Sequence, residues 1–292
     1  MDGRQRGDRE VTQRIIDIRS RPAYLHDFYG ATPGSPGWDT ARWLNRRVGS
    51  KDDRHFERSY SLDGFMAEIH AAGISAATVI GRDTPGVATT NHEVVDLVKG
   101  RRELIGIGSV DVLKHGADAV VAEVERVAAL GLAGLNLEPG FGAVPLAFDA
   151  PPLFPAYETA QRLKLPVFLM SGPTTPDLAY NDPAAIGRVA RRFPDLPIIV
   201  SHGAWPRVAE VVGVAFRYAN VHLAPDMYVF LPGSRDYVDA VNSFLADQFL
   251  FGTSFPFRPM RQTVDDFLAL GIADHALPKV LFDNASRLLN WR

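Results

Sequence analysis

The sequence predicts a single α/β domain folded as a (β/α)8 barrel of the TIM type, and three observations carry that reading. Short apolar runs alternate with helical patterns roughly eight times from residue 13 to the end, the rhythm of parallel strands joined by crossover helices. The length of 292 residues, 46% hydrophobic and 22% charged, suits one large core. Residues able to do chemistry also recur just after the apolar runs, where a barrel places its site. A doubly wound open sheet is the competing fold, but no glycine-rich phosphate loop follows the first strand.

The elements follow in order. Residues 1–12 are polar and charged, read as a flexible tail without the apolar core of a secretory signal. The first strand is RIIDI at 14–18, halted by Arg19-Ser20-Arg21-Pro22. A long irregular region, 23–60, reads as a packed loop over the barrel, with Trp38 and Trp43 as apolar anchors and His26 and His55 within reach of the mouth. Ser61 then caps a helix whose Leu62, Phe65, Met66 and Ile69 follow helical spacing, with Gly73 as its stop. SAATVI, LIGIGSVD, LAGLNLEPG, PVFLMSG, PIIVS, NVHLAPD and QFLFGTSFP supply the remaining strands. Between them HEVVDLVKG, HGADAVVAEVERVAALG, PPLFPAYETAQRLK, DPAAIGRVARRFP, PRVAEVVGVAFRYA, SRDYVDAVNSFLA and QTVDDFLALG supply helices, and LPKVLFDNASRLLN closes the chain.

Composition excludes several classes. A net charge of -3 gives no footprint for nucleic acid or an anionic membrane. The absence of cysteine removes disulfides, thiolate metal sites and a thiol nucleophile. No apolar run approaches the roughly 20 residues of a membrane span. A cytoplasmic protein is the expectation.

Several pieces of the chain resemble the amidohydrolase superfamily, in its branch related to aminocarboxymuconate semialdehyde decarboxylase. They are IID at 15–17, AGIS and VIGRD within 72–83, LIGIGSVD at 104–111, the Ser201-His202-Gly203 stretch, LFGTSFPF at 250–257 and the closing DNASRLLN. The resemblance covers nearly everything after residue 13 and implies the barrel distorted as in that family. It implies a metal site that this chain has largely replaced. Where members carry His-x-His after the first strand, this chain has Arg19 and Arg21; the fifth-strand histidine position holds Met170 and the eighth-strand aspartate position holds Ser254, while the sixth-strand histidine is present as His202. A catalytic zinc needs about three His or carboxylate donors, and guanidinium groups do not ligate metal. No metal or other cofactor is therefore expected, although His202, His222 and Asp226 stand as an alternative ligand cluster.

Arg19 and Arg21, two apart at a strand end, suit a carboxylate or a developing oxyanion. The competing reading pairs them structurally with Asp17 or Glu138. His202 is the expected general base, oriented by Asp226, and Ser254 a hydrogen-bond donor to substrate. Arg82, Glu138, Met170, His222 and Tyr228 are expected around the substrate. Together these predict a metal-independent hydrolase of a lactone or amide on a small carboxylate-bearing substrate. A decarboxylase, an inactive barrel binding an anion, and a metal hydrolase with atypical ligands are the alternatives. The resemblance and the Trp-bearing loop also suggest a homodimer.

Overall fold

The computed structural model describes residues 13–114 and 116–292; the tail read at 1–12 lies outside them. Strand β1 (Ile16–Ser20) lies beside β2 (Ala76–Ile80), which leads into a hairpin of β3 (Arg82–Thr84) and β4 (Val87–Thr89). The wall continues through β5 (Leu104–Ser109), β6 (Leu135–Leu137), β7 (Val167–Met170), β8 (Ile198–Ser201) and β9 (Val221–Ala224), every neighbour parallel. These strands are buried on both faces, which is why they read as near-continuous apolar runs. Alternation still sorts them. Phe168 and Ile199 join Ile16, Ile18, Ile107 and Leu250 inside the barrel, whereas Val167, Leu169, Ile198 and Val200 face the helices.

The eighth strand read at 248–256 is not regular. The segment instead bonds to both edges through isolated bridges, with Leu250 N to Leu223 O at 2.9 Å on one side and Ile18 N to Phe251 O at 3.1 Å on the other. It therefore brings the seven-stranded wall round to a barrel, with Ser254 N and Phe255 O also bonded to Arg19 and Arg21 at the end of β1.

Region 23–60 is also more ordered than its glycines and prolines suggest. It holds α1 (Pro36–Arg47), capped by Ser35, and α2 (Arg54–Arg58). Trp43 is 45% exposed, so it is not the anchor; Ala41, Leu44, Val48 and Phe56 are. Buried Arg258 fastens the end of α1, donating to Val48 O at 2.5 Å. His26 and His55 do not reach the mouth: His26 Nδ1 accepts from Phe28 N, and His55 Nε2 sits 2.6 Å from Pro256 O.

Outside the barrel run α3 (Leu62–Ala71), α4 (Asn91–Val98), α5 (Ala117–Ala129), α6 (Phe154–Leu163), α7 (Pro183–Arg192), α8 (Val208–Arg217), α9 (Arg235–Ala240), α10 (Met260–Leu268) and α11 (Asn284–Leu288). Ser61 caps α3 as predicted, and Thr90 with Glu93 forms a capping box on α4. Helix α8 begins at Val208, later than the Pro206 start read from the sequence, after a left-handed kink over His202–Ala204. No helix among the described residues is long and apolar enough to cross a membrane.

Candidate active site

The site begins with an irregularity in β1. Asp17 pairs with Ala77 and Ser20 with Val79, so β1 sets Ile18 and Arg19 against the single residue Thr78. Such a bulge re-aims side chains. Ile18 enters the barrel core, and the Arg19 guanidinium also reaches across the interior toward the opposite wall. The carboxylate of Asp17 secures the bulge, accepting from Arg19 N at 3.0 Å, Thr253 N at 2.9 Å and the Thr253 hydroxyl at 2.5 Å.

Burial pushes the Asp17 carboxyl up to about 7, above its ordinary value of 3.8. A folded-state value above the unfolded one makes the acid form the stabilising one. Asp17 therefore contributes most below pH 4, and that contribution is lost as pH rises through about 7. Asp17→Asn is expected to flatten this decline, read as urea unfolding midpoints at several pH values across that window. A slope unchanged by the substitution would rule the assignment out.

Three arginines share one carboxylate. Arg21 Nη2 lies 3.3 Å from Glu138 Oε1 and Arg82 Nε 2.9 Å from Oε2, while Arg19 Nη2 stands off at 3.9 Å. The Arg82 Nε–H is directed at Thr84 Oγ1, so Oε2 has an ionic contact but no aligned hydrogen bond among the described residues. Burial alone would raise Glu138; Arg82, Arg21 and Arg19 together bring it down to about 2. The structural pairing weighed from the sequence is thus partly realised, through Glu138 and not Asp17. It leaves more positive than negative charge.

Arg19 is the least satisfied of the three. It donates to Asn136 Oδ1 at 3.4 Å, Ser201 Oγ at 3.5 Å and the Met170 thioether at 2.9 Å, which is a weak acceptor. Only 3% of it is exposed, and burial with the Arg21 charge lowers its pKa to about 10, still cationic at neutral pH.

Across the mouth, His202 Nδ1 lies 2.8 Å from Asp226 Oδ1. Asp226 also accepts from His202 N at 3.2 Å and Met227 N at 2.6 Å. An accepting carboxylate fixes the proton on Nδ1 and leaves Nε2 as a lone-pair base. Burial lowers the His202 pKa, Asp226 opposes that, and Arg19 adds to it. His202, Asp226 and Ser254 all have positive φ, at 64°, 43° and 57°. Non-glycine residues are uncommon there, so the surrounding structure and not local preference sets this backbone.

Arg19, Arg21, Arg82, Met170, His202 and Ser254 line one cavity of about 500 Å³. Phe28, Tyr29, Phe141, Phe255 and Phe257 form its sides, and Trp43 and Leu44 of α1 its rim. Phe28 and Phe141 stand 5.4 and 5.3 Å from the Arg82 guanidinium, and Tyr29 5.4 Å from that of Arg21. Glu138 and Asp226 sit behind this lining, and so does Tyr228, edge-on to the His202 ring at 5.2 Å. His222 is a correction. It faces the opposite end of the barrel, where burial, with Arg287 adding to it, lowers its pKa to about 4, and it does not line the cavity. Sequence reasoning missed Asn136 and Ser201 as partners of Arg19, and Tyr29 and Phe141 as walls; only the strand-end position of Asn136 hinted at any of these.

A divalent metal does not fit these donors. Glu138 is enclosed by arginines, His202 is engaged by Asp226, and no three His, Asp or Glu side chains gather to hold an ion among the described residues. The cluster of His202, His222 and Asp226 is not assembled.

Comparison with known proteins follows this geometry. Residues 31–291 match the family model described as amidohydrolase. An uncharacterised TIM-barrel protein from Bordetella bronchiseptica is 35% identical with a TM-score of 0.87, over 95% of this chain and 99% of that one. A dihydroxybenzoic acid decarboxylase from a Polaromonas species, solved with manganese and 2-nitroresorcinol, is 18% identical with a TM-score of 0.64, over 95% and 96%. A Pseudomonas putida protein assigned as a 2-pyrone-4,6-dicarboxylic acid hydrolase is 16% identical with a TM-score of 0.64, over 95% and 98%. The last two likenesses speak to fold alone. No curated protein matches the sequence.

Proposed function

The chain belongs to the amidohydrolase family, and from that premise we propose that it hydrolyses an ester, lactone or amide bond in a small, flat carboxylate without a divalent metal. The observation that carries this reading is Arg19, a buried guanidinium with no carboxylate in hydrogen-bonding range, in the same cavity as the His202–Asp226 pair. A buried charge lacking a close partner costs several kcal/mol, in the order-of-magnitude sense. An anion supplied by the substrate, or an oxyanion formed during reaction, offsets that cost.

The roles divide across the cavity. Arg21 and Arg82, held by Glu138 and walled by Phe28, Tyr29 and Phe141, suit a planar carboxylate. Arg19 faces the reacting carbonyl and meets the charge that develops on its oxygen. His202 Nε2 takes the proton of the attacking group, with Asp226 stabilising the imidazolium. Decarboxylation is the competing outcome, and product analysis separates the two. A hydrolase leaves the carboxylate on the product and releases an alcohol, acid or amine, whereas a decarboxylase releases carbon dioxide from 2,6-dihydroxybenzoate.

Metal dependence has its own test. Protein purified without chelator is expected to contain far less than one zinc or manganese per chain, and its hydrolytic rate to survive prolonged EDTA treatment. Stoichiometric metal, with activity lost on chelation and restored on its return, would overturn the metal-free assignment. Benzoate is expected to raise the unfolding temperature in a concentration-dependent manner.

A further inference from the structure

We propose that Ser254 is a covalent nucleophile, which accepts the acyl group of the substrate while the His202–Asp226 pair carries its proton. The proposal rests on the hydrolytic reading above and assigns it a first step. Ser254 lines the cavity, and its hydroxyl is buried with no hydrogen-bond partner among the described residues. Most buried hydroxyls find a partner, and one left unpaired beside a cavity points to a group that arrives with a ligand.

The neighbourhood suits the task. Ser254 N donates to Arg19 O at 2.8 Å, tying this backbone to that of the oxyanion-facing arginine. At Gly252 a side chain would begin only 3.1 Å from Arg19 Cβ and 3.3 Å from Asp226 Cβ. Gly252, two residues before Ser254, is thus wedged between that arginine and the carboxylate that orients His202. Ser254 itself adopts a left-handed backbone, with φ of 57°. Of the titratable side chains lining the cavity, Arg19, Arg21, Tyr29, Arg82 and His202, only the histidine offers a neutral base at neutral pH.

The step balances without a further reactant. As the Oγ–carbon bond forms, the serine proton moves to His202 Nε2 and the carbonyl oxygen takes negative charge facing Arg19. The bond to the leaving oxygen or nitrogen then breaks, and the imidazolium returns the proton to it. Water repeats the sequence on the acyl-serine, which restores the hydroxyl and releases the acid.

The test uses 4-acetoxybenzoate, which places a carboxylate and an acetyl ester on one ring, and a fluorophosphonate that labels reactive serines. The native chain is expected to hydrolyse the ester and to take the fluorophosphonate at Ser254, located by peptide mass mapping. Ser254→Gly suits the left-handed backbone; it is expected to lose the label and about 10²-fold or more of the rate, while binding benzoate as the native chain does. A Ser254→Gly rate within about threefold of native overturns the proposal, as does a native chain that binds benzoate yet takes no label. Failure of the native chain to bind benzoate would instead remove the anion-binding reading beneath it.

Discussion

Arg19→Met is expected to lower the hydrolytic rate by about 10² to 10³, the effect of removing one preorganised donor to a developing oxyanion. The same substitution is expected to leave the folded chain as stable as before, or more so. Arg19 donates to an amide oxygen, a hydroxyl and a thioether, none of which becomes an uncompensated charge when the guanidinium goes. Glu138 keeps Arg21 and Arg82. Replacing a weakly paired buried ion by an apolar side chain is often neutral or stabilising, and functional positions tend to be where stability was given up. Steady-state rates beside denaturant unfolding read both quantities. A variant that loses rate and stability together would show Arg19 to be a structural tie.

His202→Ala is expected to lose about 10² to 10⁴ in rate, the usual contribution of a positioned proton-transfer group. Asp226→Asn is expected to lose rate as well, since an amide no longer stabilises the imidazolium. The pH profile separates a base from a merely packed ring. Burial and Arg19 hold the His202 pKa below its ordinary 6.5, so the neutral, active form persists into mildly acidic solution. The acid limb of kcat/KM is therefore expected below pH 6.5, and lower still in Asp226→Asn, because Asp226 is what raises that pKa. An acid limb that Asp226→Asn leaves in place would remove His202 from the role.

Much of the barrel was legible because its strands are short apolar runs separated by capped, amphipathic helices, and local composition carries both signals. The element at 248–256 has strand composition but pairs with its two neighbours only through isolated bridges at Phe249 and Phe255, which composition does not encode. The hairpin of β3 and β4 and the helices of region 23–60 were hidden behind the Gly and Pro residues that punctuate them. Within the site, sequence order put Arg19, Arg21, His202 and Ser254 at strand ends, and all four line one cavity. It did not tell which carboxylate collects the arginines. Asp17 and Glu138 were equal candidates until the β1 bulge turned Asp17 toward Thr253 and left Glu138 to face three guanidinium groups. His222 misled for a related reason: its place in the seventh strand did not give its depth, which put it at the far end of the barrel.

The position of Trp43 on α1 has a practical consequence. The chain carries four tryptophans, at 38, 43, 205 and 291, and among the described residues Trp43 is the one that borders the cavity, with 45% of it open to water. A ring seated among Phe28, Tyr29 and Phe141 displaces water next to that indole. The native emission spectrum thus becomes an intrinsic titration signal for occupancy, one that Trp43→Phe should silence while leaving the other three fluorophores in place.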